Sequence, residues 1–351
     1  MGVIEETQLA IDEVVVDPDG RIQMLLDNKT KPPGSLGRLE ELARTYCSIR
    51  GDARAPLRDK VIFTMAGDHG VAAAGVSAYP QQVTAQMVLN FLAGGAGINV
   101  LARHVGARVV VVDCGVAADL GVRPGLVVKK VAMGTGNMLE GPAMSRDQAI
   151  RSLEVGIEAF EEELPHGIDI CGAGDMGIAN TTASSAIVSV LARRDPAEVT
   201  GHGTGISDES WRHKVSVIQA ALARNRPNPS DPLDVLGKVG GFEIGGIAGL
   251  CLAAARHRRL IVIDGFISTA GAMIACALEP KVRGYIIAAH VSVEPGHAIM
   301  LEWLGKRPLL DLDMRLGEGT GAALGISLVE AGVRILNEMA SFEDAGVSKR
   351  A

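Results

Sequence analysis

The chain has few aromatic side chains, 3% of its 351 residues, and it lacks an excess of positive charge. Acidic residues outnumber basic ones by 41 to 34, for a net charge of −7. A basic nucleic-acid footprint is therefore not expected. No C-x-x-C pair occurs among the five cysteines, Cys47, Cys114, Cys171, Cys251 and Cys276, and their number is odd. Free thiols in apolar surroundings and a reducing cytoplasm are the expectation, with no disulfide framework. The first twenty residues lack the basic-then-apolar order of a signal peptide. No apolar run is long and clean enough for a bilayer span; the nearest, "GGIAGLCLAAARHRRLIVIDGF", is split by Arg256, His257, Arg258 and Arg259.

What is present is glycine, 43 residues, and a hydrophobic fraction of 47% built on Ala, Val, Ile and Leu. Short, nearly continuous apolar runs at 61–70, 108–115, 168–175, 259–266 and 285–292 end in small or acidic residues, with a further run at 125–137. Such runs suit parallel strands covered on both faces. Helical patterns lie between them, at 79–106 and at 142–164 with Ser145 as N-cap. The alternation predicts an α/β fold with a Rossmann-like, doubly wound, mainly parallel sheet whose ligands lie at the carboxyl ends of the strands. Residues 20–50, with Ser35 as a cap, and 321–340 read as helical without clear strands. They predict a small helical domain from both termini (1–59 plus 306–351) beside an α/β substrate-binding domain (60–305).

Two glycine-rich loops stand out. "CGAGDMGIANTT" (171–182) follows a strand and opens a helix, where backbone N–H groups favour an anion and Asn180, Thr181 and Thr182 add donors. Gly172, Gly174 and Gly177 fit G-x-G-x-x-G, but no ribose-binding acid follows in the right context, and the G-K-[ST] ending of a Walker loop is missing. A plain tight turn is the alternative. "TGHGTGISDESWRHKV" (200–215) carries Gly201, Gly203 and Gly205 ahead of Lys214, which is either an anion ligand or a solvated surface lysine. Asp68, His69 and Asp264 fall at strand ends. They lack metal-ligand spacing, so no metal is expected, and Asp264 suits sugar hydroxyls. His202, His290 and His297 have no nucleophile in a known motif and read as core or loop histidines.

"RLGEGTGAAL" (315–324) places Glu318 between two glycines at the mouth of an apolar helix. Partial desolvation there raises a carboxyl pKa toward neutrality and suits a general base. The alternative is that Glu318 satisfies the first N–H groups of the helix beginning near Thr320. The flanking Gly317, Gly319 and Gly321 read as room for a flat substrate.

Taken in order, "KPPGSLGRLE" (31–40), "AGDHGV" (66–71), "GAGDMGIANTT" (172–182), "NPSDPLDVLGKVGGFEIGGIAG" (228–249), "DGFISTAGAMIA" (264–275) and "RLGEGTGAAL" resemble the nicotinate-nucleotide–dimethylbenzimidazole phosphoribosyltransferases over residues 20 to 340. "KPPGSLG" together with "GEGTGA" is the specific part of the match. The resemblance implies a Rossmann-like sheet, a small domain from both termini and a homodimer. It also implies transfer of the 5-phosphoribosyl group from nicotinate mononucleotide to 5,6-dimethylbenzimidazole in cobalamin lower-ligand synthesis, with no cofactor and no metal. The family's catalytic base maps onto Glu318. Asp175 stands where some relatives carry Glu, and a secondary catalytic role is its expectation. Gly174, Gly177, Asn180, Thr181, Thr182, Gly203, Gly205, Lys214, Asp264 and Gly317 are expected to hold the nucleotide. Tyr79, Gln86, Met87 and Leu316, with Glu318, are expected around the benzimidazole. Val291 and Asp313 depart from the familiar pattern. Transfer to another base, such as adenine, a methoxybenzimidazole or a phenol, is the nearest alternative. A non-catalytic nucleotide-binding protein and a nicotinamide-dependent dehydrogenase are more distant ones.

Overall fold

The computed structural model describes residues 2–203, 205 and 207–348. Six strands, β1 (Lys60–Gly67), β2 (Arg108–Gly115), β3 (Leu126–Val128), β4 (Ile170–Met176), β5 (Leu260–Ile263) and β6 (Ile286–Ala288), form one sheet. Its order is β3-β2-β1-β4-β5-β6. Every pairing is parallel, as the continuous apolar runs require. From β1 the chain moves outward to β2 and β3, then returns to β4 on the other side and continues to β5 and β6. The winding therefore reverses between β1 and β4, and the crevice above their carboxyl ends is where such sheets bind ligands.

Helices cover both faces. Helices Arg146–Glu163, Phe242–Arg256 and Phe266–Leu278 pack on one side, and helices Gly97–Val105 and Thr320–Glu338 on the other. The first two cross at backbone distance. A Cβ at Gly156 would sit 1.9 Å from the Gly246 carbonyl oxygen, and one at Gly249 would sit 1.9 Å from that of Leu153. This explains the glycines of "FEIGGIAG" as a helix–helix seam. The five cysteines are buried and free.

Several boundaries differ from the periodicity. The pattern at 79–106 is two helices, Gln82–Ala93 and Gly97–Val105, because Gly94 takes φ 77° and ends the first. By composition, the stretch Gln82–Val105 is long and apolar enough to cross a membrane; the break at Gly94 divides it into two helices too short to do so. Only 126–128 of the run 125–137 is strand. The run 285–292 leaves the sheet after Ala288, and β7 (His290–Val291) then pairs with β8 (Leu310–Asp311). Ser145 does cap its helix, accepting the Gln148 N–H at 3.1 Å. Ser35 caps nothing; Gly34 and Gly37, both at positive φ, shape that loop, and its helix begins at Arg38.

The chain ends meet: Lys29 bridges to Ser341, and Gly332 lies so close to helix Arg38–Arg50 that a Cβ would be 2.3 Å from the Leu39 oxygen. Helix Thr320–Glu338 nevertheless also lies on β4, β5, β1 and β6. The terminal segment assigned to the small domain thus supplies a covering helix of the sheet, because its apolar surface extends almost all round and two neighbours bury it.

Candidate active site

The crevice above β1 and β4 is crossed by the loop 315–319. Gly317, Glu318 and Gly319 all take positive φ, 79°, 64° and 97°. For a glutamate this costs about 1 kcal/mol, and such strain persists only where its surroundings enforce it. Three contacts do so. Thr64 Oγ1 on β1 donates to the Glu318 carbonyl at 3.0 Å. Gly174 on β4 lets that backbone touch the strand, since a Cβ there would be 2.2 Å from the Glu318 oxygen. The Gly319 N–H donates to Asp264 at 3.1 Å.

Asp264 also accepts from the Ala322 N–H at 3.0 Å, so this aspartate, at the end of β5, caps helix Thr320–Glu338. It is fully buried, and burial pushes its carboxyl up to about 6, opposed by nearby His290 and by the helix N–H groups. Asp264, expected at the sugar, is therefore committed to the helix; Gly265, Phe266 and Ile267 line the cleft instead.

Freed from that cap, the Glu318 carboxylate points to a different helix. Its Oε2 accepts the Ile98 N–H at 3.0 Å, at the start of helix Gly97–Val105. Gly97 is needed for the approach, because a Cβ would meet Leu316 at 2.8 Å and Glu318 Oε2 at 3.3 Å. Burial raises the Glu318 pKa, the Ile98 N–H lowers it, and the charge of Asp264 raises it again; the net direction is up. Gly319 and Gly321 do not make room for a ring. Cβ atoms there would strike Ile62 at 2.7 Å and His290 at 2.2 Å, so both glycines seat the loop and its helix on the sheet.

Across the loop lies an open cleft. It gathers Asp175, Gly177, Asn180, Thr181, Gly203, Leu316 and Gly317 from the expected set. Asp175 is buried and accepts the Asn180 amide at 2.9 Å. Burial, then the charges of Asp264 and Glu243, hold its carboxyl well above the usual range. Lys214 borders a smaller recess beside Thr181, to whose Oγ1 it donates at 2.8 Å. It is 1% exposed, so it is no surface lysine, and burial brings its pKa down to about 8 against the pull of Glu294. Gly205 lines an adjoining chamber.

Other expected residues fall elsewhere. Thr182 is fully buried behind the cleft. Tyr79 and Gln86 are exposed and Met87 is half-buried, and none forms the wall of this cleft. All three flank or lie on helix Gln82–Ala93, which Thr84 ties to the cleft loop by accepting the Ile178 N–H at 3.1 Å. Val291 is spent in the β7–β8 pair, and Asp313 is an exposed residue at positive φ.

His290, Ser292 and Glu294 line the cleft and were not foreseen as ligands. Their period-two spacing in "HVSVE" is the signal that would have found them. His290 is held by the Val291 carbonyl at Nδ1, 2.8 Å, leaving Nε2 3.7 Å from Asp264. His297 accepts the Ser292 N–H at Nδ1 and contacts Thr269 at Nε2, and its burial lowers it to about 3, so it is a neutral core histidine. His69 is equally buried. Burial opposes its charge, but Glu243 at 2.6 Å outweighs that and raises the pKa. Among the described residues no group of three or more His, Cys, Asp or Glu side chains is arranged to hold a metal ion.

A family model described as "Phosphoribosyltransferase" matches residues 12–347. A protein of Geobacter sulfurreducens (strain ATCC 51573 / DSM 12127 / PCA), named nicotinate-nucleotide–dimethylbenzimidazole phosphoribosyltransferase, is 57% identical over 349 residues, covering 99% of each chain. One of the same name from Desulforudis audaxviator (strain MP104C) is 59% identical over 92% of each. The crystal structure of CobT from Thermus thermophilus superposes with a TM-score of 0.91 at 46% identity, covering 94% of this chain and 99% of that one.

Proposed function

The chain belongs to the nicotinate-nucleotide–dimethylbenzimidazole phosphoribosyltransferase family and is a phosphoribosyltransferase; from that premise we propose that it moves the 5-phosphoribosyl group of nicotinate mononucleotide to 5,6-dimethylbenzimidazole by direct displacement at C1′, with Glu318 as base. The products are α-ribazole 5′-phosphate and nicotinate, as cobalamin lower-ligand synthesis requires. The observation that carries this reading is the buried, strained Glu318, its carboxyl raised and anchored by one backbone N–H at the switch point of the sheet.

One nitrogen of the neutral benzimidazole attacks C1′, and the N–H on its other nitrogen becomes acidic as the bond forms. Glu318 accepts that hydrogen bond, selects the tautomer and takes the proton. Nicotinate departs from a pyridinium and needs no acid. A β-linked donor then gives an α-linked product by inversion. Asp175, beside Gly317 and with its carboxyl held well above the usual range, is the secondary catalytic group, a fallback base rather than a fixed negative charge. Lys214, Thr181, Asn180 and the glycines Gly177, Gly203 and Gly205 hold the donor's phosphate and sugar, with Gly174 acting through the Glu318 backbone. Leu316 stands beside Gly97 and the Glu318 carboxylate, and the flat base is taken to enter there, with Tyr79, Gln86 and Met87 on helix Gln82–Ala93 or just before it as the further candidates for its wall. A homodimer is part of the proposal, checked by sedimentation. The five buried free cysteines accord with a cytoplasmic location.

Incubating the purified protein with nicotinate mononucleotide and a panel of bases, then identifying products by mass, tests the reading. α-Ribazole 5′-phosphate is the expected product. A preferred product with adenine or a phenol would change the acceptor, and no riboside with any base would make the chain a nucleotide-binding protein. Because no pyrophosphate is displaced, added chelator should leave the rate unchanged.

Lys214 gives a second expectation. A lysine of pKa about 8 carries its charge below that pH and loses it above. The kcat/KM for the donor should therefore fall as pH rises through about 8. Lys214→Met should remove that dependence and raise the donor KM by about 10-fold, the scale of one charge-assisted hydrogen bond. An unaltered alkaline limb in the variant would remove Lys214 from phosphate binding.

A further inference from the structure

We propose that Arg315 reads the carboxylate on the donor's pyridine ring and so distinguishes an acid from an amide leaving group. The inference rests on the proposed transfer reaction and goes beyond it. Two open spaces meet at the site, the cleft over Asp175 and the chamber bounded by His202, Trp211 and Pro295. Arg315, Glu294 and Gly203 line both and so form the seam between them.

Acidic side chains outnumber basic ones along this seam. Asp175 and Glu294 are buried acids on the cleft wall, and Glu198 lines the chamber. Arg315 is the one Lys or Arg among the described residues lining either space. Lys214 lies in the adjoining recess, fixed to Thr181. The donor carries two anionic groups, a phosphate at one end of the sugar and a carboxylate on the ring at the other. Burial suits Lys214 to the first, which leaves Arg315 for the second.

The geometry of the loop agrees. Arg315 is exposed and enters none of the ion pairs found among the described residues, so its guanidinium is free to turn to a ligand. Glu318 lies three residues on, and the strained run 317–319 sends its carboxylate toward Ile98, away from the cleft that Arg315 borders. One loop thus carries the base on one side and a cation on the other. Inversion at C1′ needs acceptor and leaving group on opposite faces of the sugar. A guanidinium binds a carboxylate through two parallel N–H bonds, and a carboxamide offers neither the charge nor the second acceptor.

The test compares nicotinate mononucleotide with nicotinamide mononucleotide as donors, dimethylbenzimidazole being the acceptor. The wild-type protein should prefer the acid by about 10-fold or more in kcat/KM, the effect of one charge-assisted pair. Arg315→Gln should bring that ratio close to one by raising the KM of the acid, leaving kcat/KM for the amide within about two-fold. Arg315→Lys should restore part of the preference. The inference is overturned if the wild type shows no preference, if Arg315→Gln keeps it, or if that variant loses both donors equally. Competition by free nicotinate and free nicotinamide, measured as equilibrium binding, reads the same discrimination without turnover. If no transfer occurs at all, a nicotinate preference that vanishes in Arg315→Gln still upholds this inference while defeating the transfer reading; equal binding of both defeats this one.

Discussion

Glu318→Gln should lower kcat by about 10²-fold or more while leaving donor binding near normal, the scale expected for loss of a general base. Its amide oxygen can still accept the Ile98 N–H, so the anchor and the left-handed turn survive. Protection of the fold is expected on electrostatic grounds as well. A carboxyl whose pKa is raised on folding destabilises the folded state as pH climbs from the unfolded value through the folded one. Glutamine removes that charge, so the melting temperature near neutral pH should be unchanged or higher. The pH profile adds a second readout. The base works only when ionised, so activity should be lost as pH falls through the raised pKa, above the ordinary glutamate value of about 4.3. The variant's residual rate should lack that acid limb. A folded variant that turns over like the wild type would remove Glu318 from the role.

The largest effect on stability is expected at the helix seam. Gly156→Ala inserts a methyl group 1.9 Å from the Gly246 carbonyl oxygen and 2.8 Å from the Leu250 nitrogen, both backbone atoms of a buried helix. Neither can swing aside as a side chain does, so the two helices must separate. A cost of about 3 kcal/mol or more is expected, at the upper end of overpacking, despite the better helix propensity of alanine. Gly141→Ala is the control, since nothing lies within 4 Å of its Cβ position and its φ is ordinary. It should stay within about 0.5 kcal/mol. Denaturant unfolding of both variants decides the matter, and equal midpoints would contradict the seam.

The site was legible to different depths. The strand-end clusters and the glycine-rich loop after β4 could be read because a parallel sheet advertises itself by continuous apolar runs that stop in small and acidic residues. "HVSVE" was hidden because two residues of strand and a loop give too short an alternation to register. Asp264 was misplaced for a different reason. An acid at a strand end fits a sugar and a helix cap equally well, and only the distance to Gly319 and Ala322, 55 and 58 positions away, separates the two.

By itself the sequence determined the doubly wound parallel architecture, the buried thiols and the family, through motifs whose order spans the chain. These depend on local pattern, which a strand or helix writes into its own residues. Tertiary structure decided what each glycine and carboxylate is for. Gly174, Gly319 and Gly321 serve backbone approach rather than ligand room, and Glu318 caps a helix more than 200 positions upstream instead of the one that follows it. The reason is physical: the duty of an unpaired N–H or carboxylate is set by whatever lies within 3 Å, and in this fold those neighbours come from distant strands.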